Sequence, residues 1–273
     1  MAFTGSSNYI ERLLTFVEQT VIGLIPGIDT RSSWGENDAI GATTVTIWDE
    51  ASVYTYMPEA STVTVSSDSV EDALAGTGAW LVWLQGLDSN FVRIDEIIVL
   101  TGQAPVTSQY TYIRVYSMRV FKANAAGINV GNIYAGTGEV VDGVPANVYA
   151  KIRTSNGRSM MAMYTVPRGY YFILKNVDLT CGSGKQVLFN LFARPYGGIF
   201  ERNGSAVVYQ NSYQLNLTNP LVAPEGTDIE IRASSAPITA YVVAAIEGKL
   251  IKKNLLSNAF VARFALFALP DLP

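Results

Sequence analysis

The side chains able to do chemistry are few, and one type is missing: the 273 residues contain no histidine and a single cysteine, Cys181. Without imidazole there is no Ser-His-Asp or Cys-His machinery, no imidazole metal site and no ready general base near neutral pH. One thiol gives neither a thiolate metal cluster nor an internal disulfide framework. Beside Gly182 in a turn, Cys181 reads as a small structural residue. Carboxylates remain, since a glycosidase needs only two Asp or Glu residues at a suitable separation. Glu71 with Asp72, or Glu225 with Asp228, would supply such pairs, but their turn-like surroundings read them as solvated turn residues. Gly182-Ser183-Gly184-Lys185 lacks the leading glycine and trailing Ser or Thr of a phosphate loop, and it joins two strands where that motif opens a helix. Gly136-Thr137-Gly138 is equally weak, and no acidic run has the spacing of a calcium loop. The sequence therefore predicts no catalytic residue, no cofactor and no metal.

Aromatic residues offer a second kind of chemistry. Among 15 tyrosines, Tyr54, Tyr56, Tyr110, Tyr112, Tyr196, Tyr209 and Tyr213 fall where loops or strand faces would present them. Stacking on sugar rings makes Tyr54, Tyr56, Tyr196, Tyr209 and Tyr213 candidate glycan contacts. Tyrosine suits protein interfaces and strand packing equally well, having apolar area and one polar tip.

Composition bounds the partners. Charged residues make up 15% of the chain and hydrophobic ones 49%, with mean hydropathy +0.20, against roughly 25% charged in average soluble proteins. So few charges predict a surface partly covered by other subunits, and hence a homo-oligomer. The longest apolar run, residues 255–269, is broken by Asn258 and Arg263 and is shorter than the roughly 20 residues a membrane helix needs; no membrane insertion is expected. A net charge of −4 and a pI near 5.0 remove the attraction on which nucleic-acid binding rests. The start MAFTGSSNYIERLL lacks the basic, apolar and small-residue order of a secretory signal. The sequons at Asn203 and Asn216 then read as ordinary turn and strand residues.

The elements that must position these residues are mostly strands. From residue 43 to 251 short alternating runs are punctuated by Gly, Pro, Asn and Asp. The reading is all-β: a first antiparallel sandwich over 43–140 and a second, jelly-roll-like one over 146–251, divided at 139–145 by Asp142-Gly143 and Pro145. An N-terminal helical and extended arm over 1–42 precedes them. In it Ile10, Leu13, Leu14, Val17 and Val21 recur at helical spacing, with Asn8 and Glu11 as a capping box, and an isolated Trp34 follows. This helix either covers a sandwich end or docks on a neighbour. A tail over 252–273 carries Phe260, Phe264 and Phe267, which pack back on the second sandwich or dock on a neighbouring subunit. These nine apolar residues are the candidate assembly interface.

Four segments carry a likeness. MAMYTVPRGYYFILK at 161–175, VLFNLFARPYGGIF at 187–200 and PLVAPEGTDIEIRAS at 220–234 resemble a β-sandwich module in virion structural proteins of tailed bacteriophages. AGTGAWLVWLQGLDSNFVRIDEIIVLTGQAPVTSQYTYIRV at 75–115 is similar to a hairpin series in such proteins. The likeness spans roughly residues 75–251 and rests on turn and strand signatures, so no site residue transfers. It implies a non-enzymatic structural role on a virion assembled in a host cytoplasm: a capsid decoration or cement protein, with a tail adaptor or fibre-associated glycan binder as the alternative. The implied partners are copies of itself, with a trimer favoured, other virion proteins such as major capsid or tail proteins, and host surface glycan. A fibre shaft is disfavoured, because the chain has no collagen-like repeat, heptad run or shaft repeat.

Overall fold

The computed structural model describes residues 14–182, 184–209, 211–236 and 239–257. Antiparallel strands dominate them, and one short helix, α1 (Phe16–Val21), precedes the first strand. Thr15 caps α1: its hydroxyl accepts from Glu18 N–H while the Glu18 carboxylate accepts from Thr15 N–H, a reciprocal capping box. The expected cap at Asn8 and Glu11, together with Ile10 and Leu13, lies outside the described residues. Leu14 and Thr15 are non-helical, so the helix predicted through Leu14 and Val17 is interrupted there, since a cap residue must leave helical geometry.

One sheet has the order β1 (Ile28–Ile40), β16 (Ala240–Lys252), β11 (Tyr170–Cys181), β14 (Ser212–Ala223). Another runs β10 (Met163–Thr165), β15 (Asp228–Ser234), β12 (Gln186–Arg194), β13 (Glu201–Tyr209), with β2 (Val45–Thr46) also on β15. Their inward residues, among them Phe172, Leu174, Val242 and Ile246 from one sheet and Tyr164, Phe189, Ile229 and Ile231 from the other, share one apolar cluster. The small residues Ala240, Ala244 and Gly248 let β16 lie flat; a Cβ at Gly248 would strike the Phe172 ring and Ile173 O.

A third sheet runs β6 (Val106–Tyr112), β3 (Ser61–Ser67), β8 (Ile133–Val141), β9 (Val144–Ile152), and a fourth β5 (Arg93–Val99), β4 (Ala79–Leu87), β7 (Arg114–Ala123). Val63, Val65, Ile133 and Ile152 meet Val82, Leu84, Ile98 and Met118 in a second cluster. Trp48, Met161 and Met163 belong to this cluster too, where the two bodies adjoin.

Several expectations are corrected. Residues 28–40 are not a free arm: β1 pairs with β16 from Ile28 with Ile251 to Ile40 with Ala240. Its hydrophobic content is low because its inward positions are Ser33, Gly35 and Asn37, where the backbone of β1 presses on the chain near Ala162 and Ile47; a Cβ on Gly35 would overlap Ala162 N and Ile47 O. Residues 139–145 are a hairpin turn and not a division between bodies, with Val140 opposite Pro145 and Val141 opposite Val144. Asp142 and Gly143 both have positive φ, 49° and 82°, as a tight two-residue hairpin turn requires. The described part of the C-terminal tail is a 3-10 turn, Lys253–Leu255, after β16; Phe260, Phe264 and Phe267 lie outside the described residues.

Candidate functional site

The densest polar chemistry gathers where the two apolar clusters meet, on the face of β15 opposite its core. In Asp228-Ile229-Glu230-Ile231-Arg232 the isoleucines point into the core and the charged residues to the other side. That side is covered, because Asp228 is 2% and Glu230 0% exposed. Asp228 lies between two strand neighbours, Thr165 on β10 and Arg194 on β12. Its Oδ1 accepts from Thr165 Oγ1 at 2.6 Å and Arg114 Nε at 2.9 Å; its Oδ2 accepts from Arg114 Nη2 at 3.1 Å and Arg194 Nη2 at 2.5 Å. Arg114, at the start of β7, also donates to the carbonyls of Ile113 (2.7 Å) and Met57 (3.2 Å). A carboxylate of one cluster is thus clamped by an arginine of the other, a bidentate and charge-assisted arrangement.

Beside it, Glu230 accepts from Tyr56 Oη at 2.9 Å and from Arg232 Nε. Burial pushes the Glu230 carboxyl up from its ordinary range, against the pull of Arg232. Burial and the Glu230 carboxylate push the Tyr56 phenol well above its usual value, which keeps it a donor. Three arginines face two carboxylates, and aromatic rings take the excess: Arg194 lies 4.5 Å from the Tyr56 ring centre and 4.4 Å from Phe200, and Arg232 lies 4.6 Å from Phe192.

A further buried acid is Asp49. Asp49, 3% exposed, accepts from Met160 N–H at 2.6 Å, while Arg153 Nε lies 3.1 Å from Oδ1. That approach is off line, since Oδ1 has no hydrogen-bond partner among the described residues. Burial, only partly opposed by the Met160 hydrogen bond and Arg153, pushes the Asp49 carboxyl up to about 7.

The carboxylates read from sequence as solvated are corrected by burial. Asp72, wholly buried, accepts from Ser67 Oγ and from the N–H groups of Ala79, Val130 and Gly131, pinning the 68–78 loop to its neighbour. Glu71 caps Thr77. Glu225 accepts from Gly169 N–H and pairs with Lys253 at 2.6 Å. Each is engaged in holding backbone, and among the described residues no group of three or more His, Cys, Asp or Glu side chains is placed to hold a metal.

The tyrosine set does not converge. Tyr54 is buried: its hydroxyl donates to Tyr149 O at 3.0 Å, and its ring meets Trp48 and Tyr56 edge-on at 5.0 and 4.8 Å. Tyr54 is therefore an interior residue, and Tyr56 is half-buried with its hydroxyl held by Glu230. Tyr196 is exposed and packs edge-on against Phe91 at 5.2 Å. Tyr209 and Tyr213 are exposed at the other end of β13, a nine-residue strand that separates them from Tyr196 by roughly 25 Å. No single sugar unit touches both ends.

Of the residues expected to form the assembly interface, Leu14 is half-buried and Val17, Val21 and Trp34 are exposed. Val17 and Val21 stand over the outer face of β1, β11 and β16, bordering a shallow groove of about 310 Å³ with Lys175 and Lys249. Another outward face, unremarked in the sequence, lies on β5-β4-β7, where apolar side chains stand among Asp95, Arg119 and Lys122. Pairing sets Leu81 opposite Val99 and Trp83 opposite Ile97 on the outward side, where Ile97 is 51% exposed and Phe121 50%. Period-two alternation was legible there, but the sequence left open which of two apolar faces the core takes.

No family model matches this chain, and no curated protein matches it. Solved structures are similar only loosely. A crystal structure of the STIV MCP is 8% identical over 85% of this chain and 99% of that one, with a TM-score of 0.23. Structures of the infectious bursal disease virus Gx strain (9% identity, 85% and 74% covered, TM-score 0.20) and of an infectious bursal disease virus VP2 subviral particle (8%, 88% and 78%, 0.18) follow. Superpositions this loose transfer neither fold nor role, and any functional reading rests on the chain's own residues. No helix among the described residues is long and apolar enough to cross a membrane.

Proposed function

We propose that this chain is a non-enzymatic structural component of a virus particle, a decoration or cement protein of a tailed bacteriophage that works by association with copies of itself and with other virion proteins. The observation that carries the reading is the outward apolar face of β5-β4-β7, with Trp83, Ile97, Val99 and Phe121, on a chain with too few charges to cover its surface. Monomers seldom expose large contiguous apolar patches. The resemblance of residues 75–251 to phage virion modules supports the same reading, as do carboxylates spent on holding backbone. A second copy is the occupant proposed for this face, in a trimer.

The organisation proposed is two β-sandwiches, nested in the chain. Taking β2 and β10 as one interrupted edge, the eight-strand order first-eighth-third-sixth over second-seventh-fourth-fifth is that of a jelly roll. Residues 48–161 form the other body, inserted within that interrupted edge.

The test is the mass of the purified chain at micromolar concentration, beside Ile97→Lys and Phe121→Glu. The expected result is a discrete oligomer that the two substitutions dissociate while leaving each protomer folded by circular dichroism. A monodisperse wild-type monomer would overturn the reading. Truncations lacking residues 1–27 or 252–273 test the arms by incorporation into particles, which they are expected to abolish.

A further inference from the structure

At the seam between β1, β7 and the 158–161 segment lies a cavity of about 270 Å³ with an almost wholly polar lining: Arg31, Ser33, Ser117, Arg119, Arg158 and Ser159 contribute, beside Tyr116. Three of these residues are arginines, and no carboxylate lines the space. Among the described residues none of the three makes an ion pair. Asp29, two residues before Arg31 on the same strand face, is held by Arg93 at 3.0 Å.

The placement of the three cations is costly as it stands. Arg119 and Arg158 are directly opposite each other in an antiparallel bridge, and like charges in that position repel. Arg31 adds a third from a different sheet. Burial and the nearness of Arg158 and Arg31 hold the Arg119 guanidinium below its usual pKa.

Neighbours fix these side chains in place. Arg31 lies 4.7 Å from the Tyr116 ring centre and 4.9 Å from Tyr164, and Arg119 lies 4.3 Å from the Trp83 ring with Nη2 at 3.4 Å from Gln85 Oε1. Stacking holds a guanidinium without using its donors. Two buried polar atoms in the lining have no hydrogen-bond partner among the described residues, Arg31 Nε and Ser33 Oγ. Ser33 is 5% exposed and shares the inward face of β1 with Arg31. Unpaired buried donors are destabilising, so donors without acceptors and cations without a counter-charge ask for the same thing.

We propose that this cavity binds a tetrahedral oxyanion of the phosphate or sulfate class, either free or as an ester group on a larger ligand. Three guanidinium groups supply charge and forked donors, Ser33 supplies a buried hydroxyl, and the planar forks of arginine match such oxygens. The cavity borders the β5-β4-β7 face, since Arg119 stacks on Trp83, but anion binding is argued from the cavity's own donors and does not depend on the assembly role.

Calorimetric titration with sodium sulfate and sodium phosphate at constant ionic strength, with chloride as the control, tests it. Saturable binding of either anion is expected, weakened about tenfold or more in Arg119→Gln and in Arg158→Gln, both at exposed positions, and unchanged in Lys175→Gln, an exposed cation outside the cavity. Parallel titration with a sulfated disaccharide and a sugar phosphate separates the sources: tighter ester binding points to an attached group, and weaker ester binding to the free ion. Equal heats with chloride, binding that survives both arginine substitutions, or no binding of any of the four compounds would overturn the proposal.

Discussion

At the scale of single residues, the acids of this chain divide by what they are asked to hold. Asp228 and Asp72 are buried with every oxygen engaged, by arginine and a hydroxyl in one case and by a hydroxyl and backbone N–H groups in the other. Asp49 is equally buried but holds one backbone N–H and an ill-aligned guanidinium, and burial raises its carboxyl from 3.8 to about 7. The folded state then binds a proton that the unfolded state releases between those two values. Stability is therefore fully present below pH 3.8, falls as pH rises, and reaches its lower plateau above about 7. The expected span is about 2 to 4 kcal/mol. Asp49→Asn, which cannot ionise, should flatten that segment of the profile, so urea midpoints of wild type and variant should draw apart between about pH 4 and about pH 7 with the variant the more stable at the higher pH. Parallel profiles across the window would show that Arg153 already holds Asp49 ionised.

At the scale of elements, alternation made the all-β architecture legible. The strands over 170–181, 186–194 and 228–234 fall within the expected run of short strands, each alternating in residue type and bounded by Gly or Pro. What escaped reading is where an element buries backbone instead of side chains. β1 carries Ser33, Gly35 and Asn37 on its inward side, so no hydrophobic period announces it, and its placement depends on Gly35 letting two chains approach. Gly35→Ala should accordingly cost about 3 kcal/mol or more by overpacking and loosen β1 from its surroundings, read as faster hydrogen exchange of the 28–40 amides than of the β4 amides. Uniform exchange in the variant would mean that the neighbouring chain shifts to accept the methyl. The same blindness to partners hid the charge cluster: Asp228, Glu230 and Arg232 alternate with isoleucines as a solvent face would, and only the second body covers them. The tyrosines do not gather into one site for the converse reason, since spacing along the chain said nothing of Tyr54 lying inside or of Tyr56 being half-buried against Glu230.

At the scale of the whole molecule, pairing the first strand with the last changes what the chain can do mechanically. With β1 held along β16, the proposed organisation tethers residues 48–161 at both ends to the body formed by the remaining strands, and a domain reading that runs in sequence order cannot see this. Two covalent crossings restrict the relative orientation of the bodies, and the clamp of Arg114 on Asp228 adds a noncovalent lock, with Trp48, Met161 and Met163 packed beside it. Opening the seam would separate Arg114 from Asp228 and expose the apolar contacts of Trp48, Met161 and Met163, which ties the unfolding of one body to that of the other. Calorimetry of the native chain should therefore show one cooperative transition. In Arg114→Met the apolar replacement fills similar volume, while Arg194 and Thr165 still satisfy Asp228, so the variant should fold. It should lose about 3 kcal/mol and resolve two transitions, the one belonging to residues 48–161 being identified by the fluorescence of Trp80 and Trp83. A single unshifted transition would place the coupling in the apolar contacts at the seam and leave the ion pair as an orienting device.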